Sequence, residues 1–207
     1  MVPSTPGIFI MVRTILASLL LLSVSLVASS KPRLLEHIPL EWRPTSNLRL
    51  GTTQTTTTTV TIGNFTDGRE NKEAIGENRE DSEPKPVTTG DDVGVFVGVH
   101  IRQLFDEAGI KMVDSNGAVS VKGEVKKFFV REGSTYKSEV AVQLTVTDPE
   151  GKTLWKGLAS GEATRFGRSY KAENYYEVLS DALVNTVSSM LQATEFQRAL
   201  SGHAIGT

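Results

Sequence analysis

The chain has 207 residues, a formal net charge of −2 and a pI near 6.0. That balance leaves no cationic excess to neutralise a phosphate backbone, so nucleic acid is not an expected partner. Cysteine is absent, which excludes disulfides, thiol chemistry, cysteine-held metals and a lipid-modified N-terminal cysteine.

At the N-terminus Arg13 precedes an apolar run over residues 14–28 that closes on Val27-Ala28-Ser29-Ser30. A positive residue, a short apolar stretch and then small residues are the layout of a secretory signal, so residues 1–30 are expected to direct export, with cleavage near Ser29 or Ser30. A retained membrane anchor is the alternative. A spanning helix needs about 20 apolar residues, and this run is shorter and ends in serines. Met1 and Met11 are both compatible with the start of such a signal.

Residues 31–55 carry Pro32, Pro39 and Pro44 without a period and read as an extended arm. Five threonines at 55–59 lead into Val60-Thr61-Ile62-Gly63. Branching at Cβ favours the pleated backbone, so a strand is expected from about Thr56 to Gly63. Residues 64–86 are polar and rich in turn formers and read as a long loop. Over 91–109 two periods compete. Val93, Val95, Val97, Val99 and Ile101 alternate, but Val93, Val97, Ile101, Leu104, Phe105 and Ala108 form one helical face. The length favours a helix, capped by Asp91 or Asp92 and ended by Gly109. Gly94 and Gly98, four apart, would let it pack closely on a sheet.

Three strands follow, over 118–130, 136–147 and 152–165. The second has the cleanest alternation, through Tyr136, Ser138, Val140, Val142, Leu144 and Val146. Asp148-Pro149-Glu150-Gly151 is a turn sequence, so an antiparallel meander is expected. Residues 172–191 carry a 3.6-residue apolar stripe and form a second helix. The order β-α-β-β-β-α predicts an α+β fold: a two-layer sandwich with a four-stranded, mostly antiparallel sheet and two helices on one face. The domain is expected to span 56–196, with a flexible tail at 197–207.

A set of segments occurs here in a familiar order. They are Val60-Thr61-Ile62-Gly63-Asn64-Phe65-Thr66-Asp67-Gly68-Arg69 with Ile75-Gly76-Glu77-Asn78, then Leu104-Phe105-Asp106-Glu107-Ala108-Gly109. Val121-Lys122-Gly123-Glu124-Val125-Lys126-Lys127-Phe128, Gly151-Lys152-Thr153-Leu154-Trp155-Lys156-Gly157 and Ala172-Glu173-Asn174-Tyr175 follow. Over about residues 57–196 this resembles the YajG-like bacterial envelope lipoproteins. The resemblance implies a periplasmic or outer-membrane-associated domain of a Gram-negative bacterium with no established enzyme activity. Those proteins carry a lipidated cysteine after the signal and this chain has none, so membrane association would need other contacts.

Candidate sites are few. Asn64, Asp67, Arg69, Glu77 and Asn78 form a polar segment that reads either as an interaction surface or as structural turns. Asn64-Phe65-Thr66 is a glycosylation sequon, relevant only in a eukaryotic secretory route. His37, His100 and His203 have no metal-ligand spacing, and the acidic spacing does not fit a calcium loop. The pairs Asp91-Asp92 and Asp106-Glu107 fit capping and solvation better than acid-base chemistry. No nucleophile elbow or phosphate loop is present, and no cofactor is expected. Lys122, Lys126, Lys127 and Arg131 read as protection of an exposed strand edge or as a patch for anionic polymers. The expectation is therefore an exported, non-catalytic protein acting on another envelope protein. The alternative is a small-ligand or polysaccharide-binding module with Tyr170, Tyr175, Tyr176 or Trp155 as an aromatic platform. A hydrolase ranks third.

Overall fold

A computed structural model describes residues 34–49 and 57–203; the expected signal and the start of the threonine run lie outside them. In chain order the elements are β1 (Val60–Asp67), β2 (Ala74–Asn78), β3 (Lys85–Thr88), α1 (Val93–Glu107), β4 (Met112–Val113), β5 (Val119–Glu132), β6 (Tyr136–Thr147), β7 (Thr153–Arg165), α2 (Ala172–Gln192) and α3 (Thr194–Leu200). The fold is α+β with one open sheet, but among the described residues the sheet has seven strands and the helices number three. The expected four-stranded sheet with two helices is corrected accordingly.

The expected meander is present. Strand β6 pairs antiparallel with β5 on one side and β7 on the other. The turn between β6 and β7 closes through Asp148, whose Oδ1 accepts from Lys152 N at 2.8 Å, with Gly151 at φ +84°. On its other side β5 runs parallel to β1 over residues 119–125 and to β2 over 130–132. Strand β3 pairs antiparallel with β2, and β4 pairs parallel with β1 at Val60 and Thr61.

The additional strands β2 and β3 come from the stretch read as a loop. Each carries one fully buried apolar residue, Ile75 and Val87. Burying such a side chain is worth roughly 1.5–3 kcal/mol, which suffices to anchor a short strand. One apolar residue in a polar segment shows no period, and that is why the pattern hid them.

The helices cover a single face. The alternative strand reading of residues 91–109 is resolved as α1: Asp92 caps it by accepting from Val95 N at 3.1 Å, and Gly109 follows at φ +78°. Its glycines set the distance to the sheet. A Cβ on Gly94 would stand 2.7 Å from the backbone of Thr66 and Asp67. Gly161 does the same beneath α2, where a Cβ would lie 2.3 Å from Thr186 N. Helix α3 crosses the boundary expected at residue 196, and Phe196 is buried between Phe105 and Trp155, with ring centroids 6.1 and 5.1 Å away.

The arm lies on the helices. It begins along β3, where Leu35 bridges Val87 and Ile38 N donates to Thr88 O at 2.9 Å. It then runs along the back of α2, and α2 side chains satisfy its backbone. Ser180 Oγ accepts from Arg43 N and Ser188 Oγ from Arg49 N, both at 3.0 Å. Asp181 accepts from Thr45 N, Thr45 Oγ1 and Ser46 N at 2.6, 2.5 and 2.8 Å. The sheet on one side and the arm on the other bury most of the helix, polar residues included.

Candidate contact surface

The five polar residues singled out in the sequence do not meet at one surface. Asn64 is exposed on β1, beside the register shift between Ile62 and Phe65. Glu77 pairs with Arg79 at 2.6 Å and lies 3.6 Å from Arg131. Asn78 is buried: its Oδ1 accepts from Glu80 N at 3.1 Å, and its Nδ2 lies 3.5 Å from Ser169 Oγ.

Asp67 and Arg69 form an internal brace, their side chains 9% and 7% exposed. Between the end of β1 and the start of β2, strand β5 has no neighbour on that side over residues 126–129. The Arg69 guanidinium occupies this gap. Nε and Nη2 bind both oxygens of Asp67 at 2.9 and 2.8 Å. Nη1 donates to Ala74 O and Phe128 O at 2.6 and 3.2 Å, and Nη2 donates to Lys72 O at 2.5 Å. All five donors of the fork are therefore used. Burial pushes the Asp67 carboxyl up, but the hydrogen bonds and charge of Arg69 outweigh it and hold the group below the usual aspartate range.

A second buried polar knot fixes the β7–α2 connection. Glu132 is 1% exposed and accepts from Tyr170 N and Tyr175 Oη, each at 2.6 Å. Tyr136 Oη donates to Arg168 O at 2.6 Å. Burial, reinforced by Glu132, pushes the Tyr136 phenol up to about 12 and also raises Tyr175. The expected aromatic platform is thereby dismantled. Tyr175 and Tyr176 are buried, Trp155 packs on Phe196, and the Tyr170 hydroxyl accepts from Leu35 N at 3.0 Å. Glu132 is not legible in the sequence, because a glutamate closing an alternating strand reads as solvent-facing.

His100 belongs to an aromatic packing group, stacked on Trp42 with centroids 4.3 Å apart, and burial lowers its pKa. Among the described residues no group of three His, Cys, Asp or Glu could hold a metal ion.

Among the described residues, none covers the face of the sheet opposite the helices. Asn64, Thr66, Lys122, Glu124, Gln143, Thr145 and Lys156 line a shallow depression of about 400 Å³ there. Along the same face Lys127, Phe129, Arg131, Lys137, Glu139 and Glu162 continue toward the far end of the meander. Lys122 and Arg131 do not protect an edge, because β5 is paired on both sides there, whereas Lys126 and Lys127 stand at the gap that Arg69 fills between β1 and β2. They point out from the middle of the sheet. Lys126 pairs with Glu124 at 2.7 Å and Lys127 with Glu139 at 3.4 Å, while Lys122, Lys137 and Lys156 make no ion pair among the described residues.

No family model matches the sequence, and no curated protein matches it. Solved structures do align with it. Protein XCC0632 from Xanthomonas campestris, described under the family model DUF330, aligns with a TM-score of 0.54 at 10% identity, covering 74% of this chain and 94% of that one. The PelC dodecamer from Paraburkholderia phytofirmans aligns at a TM-score of 0.40 and 15% identity, over 72% and 96% of the two chains. A minor lipoprotein from Acinetobacter baumannii aligns at 0.35 and 9% identity, over 70% and 91%. At such identities the likeness is one of fold, carried by the first of these. No described helix is long and apolar enough to cross a membrane.

Proposed function

We propose that this is an exported envelope protein that works by contact, presenting the bare face of its sheet to another envelope protein. The observation that carries this reading is the one-sided architecture. Helices and arm cover one face of the sheet, and the other carries Lys122, Lys127, Arg131, Lys137 and Lys156 among Thr, Gln and Asn side chains. A flat polar face with a half-buried aromatic, Phe129, suits protein contact better than enclosure of a small substrate. Asn64 belongs to this surface. Asp67 and Arg69 support it by holding β1 and β2 against β5, and Glu77 lies at its margin through Arg131.

A photo-reactive residue at Gln143, in the centre of the face, should form a discrete adduct in envelope preparations. Charge reversal at Lys122, Lys127 and Arg131 should remove that adduct while the fold persists. An adduct that forms undiminished in the reversed variant would end this reading.

A further inference from the structure

Among the described residues strand β7 has a free edge: it pairs with β6 and with no other described strand. At thirteen residues without a proline, it offers a long row of backbone donors and acceptors. The direction of those groups can be read. The Ala163 carbonyl faces β6, where Ser138 Oγ approaches it at 3.4 Å. Neighbouring residues alternate, and the Glu162 carbonyl is met from α2 by Asn185 Nδ2 at 2.8 Å. Even-numbered residues of β7 therefore point their N–H and C=O away from the sheet.

The sequence of this edge is self-complementary. Lys156-Gly157-Leu158-Ala159-Ser160-Gly161-Glu162 is symmetric about Ala159, with opposite charges at its ends. We propose that β7 pairs antiparallel with β7 of a second copy of this chain, on a two-fold axis at Ala159. Lys156 of each copy then lies opposite Glu162 of the other, and Leu158 opposite Ser160. Every one of these is an even-numbered residue with outward backbone groups, so the register satisfies the hydrogen-bonding geometry as well as the charges. Gly157 faces Gly161 on the helix side and adds no side chain to the seam.

Two costs of the single chain are relieved in this arrangement. Glu162 stands directly opposite Glu139 across β6–β7, a like-charge pairing that destabilises a sheet. Among the described residues Lys127 pairs with Glu139, at 3.4 Å, and not with Glu162. The second copy brings Lys156, itself without an ion pair among the described residues, to the other side of Glu162. Leu158, 61% exposed on the bare face, becomes a diagonal neighbour of its own counterpart across the axis, within reach of a long side chain. The backbone N–H of Lys156 replaces Asn185 at the Glu162 carbonyl. This inference does not depend on the identity of any envelope partner.

The test is the mass of the purified exported domain in solution over a range of concentrations. The unaltered chain should dimerise. Lys156→Glu and Glu162→Lys should each weaken the dimer roughly ten- to hundredfold, because each places two like-charge pairs on the seam. The double swap Lys156→Glu with Glu162→Lys should restore it. Hydrogen exchange gives an independent readout: the amides of Lys156, Leu158 and Ser160 should gain protection as concentration rises. A chain that stays monomeric at its highest soluble concentration overturns the proposal. So does an oligomer indifferent to both single reversals, or exchange at these amides that ignores concentration.

Discussion

The two flanks of β5 are built on different principles. Toward β6 the ladder runs from Ser120↔Thr147 to Glu132↔Tyr136 with one register shift, and every pairing is backbone to backbone. Toward β1 and β2 the pairing is parallel and broken, and one arginine side chain spans the break. The first flank distributes its stability over many equivalent bonds, so no single residue is indispensable. The second concentrates it, and one substitution can open it.

The largest expected effect tests that contrast. Arg69→Met strips the guanidinium from the buried Asp67 carboxylate, which keeps the backbone N–H of residue 69 at 3.1 Å, and from three carbonyls. Removing one member of a buried pair costs about 3–5 kcal/mol. Hydrogen exchange should rise at the end of β1 and in β2 while β6 and β7 keep their protection. Uniform loss across the sheet would mean that the flanks unfold as one unit and that the contrast is only geometric.

A smaller effect belongs to the arm. Asp181→Ala removes an acceptor from two backbone amides and a hydroxyl, and hydrogen bonds to a charged group are worth roughly 1.5–3 kcal/mol. Proteolysis within residues 41–49 should accelerate while the sheet remains folded. An unchanged cleavage rate would assign the docking of the arm to Trp42 and the apolar residues beside it instead.

The smallest effect is read by pH. The Tyr136 phenol is held at about 12, against an ordinary value of 10.0. A raised pKa means that the folded state keeps its proton more tightly, so this contribution is complete below pH 10 and fades as pH rises toward 12. Tyr175 shifts in the same direction. Denaturation curves should show stability falling over that window, with a shallower fall in Tyr136→Phe. A variant as steep as the unaltered chain would remove Tyr136 from the account.

The same contrast decides how much could be read from the sequence. Strand β6 was legible because its inward residues recur at every second position, and the turn after it because Asp, Pro and Gly occupy the positions that a tight turn requires. Helix α1 was legible from its stripe, its Asp92 cap and Gly109. The short strands β2 and β3 were not, since Ile75 and Val87 stand alone among polar neighbours. Nor were the roles of Arg69, Glu132 and Asp181. A charged residue announces its charge, but which carbonyls or amides converge on it depends on chain segments that are distant in sequence. Asp67 and Arg69 were noticed for their polarity and proved to be internal. The open face was hidden for the opposite reason: its residues are the ordinary outward members of alternating strands, and only the placement of the helices shows that no described element covers them.

The docking of the arm has a mechanical consequence. Tension applied through the chain before Leu34 would meet the bridge to Val87 first, then the bonds at Asp91, Ser180, Asp181 and Ser188 in turn. Contacts loaded one at a time yield at low force, like a zipper, whereas the strands beneath are loaded only after the last has parted. The arm would act as a slack tether, lengthening under pull before the load reaches the strands.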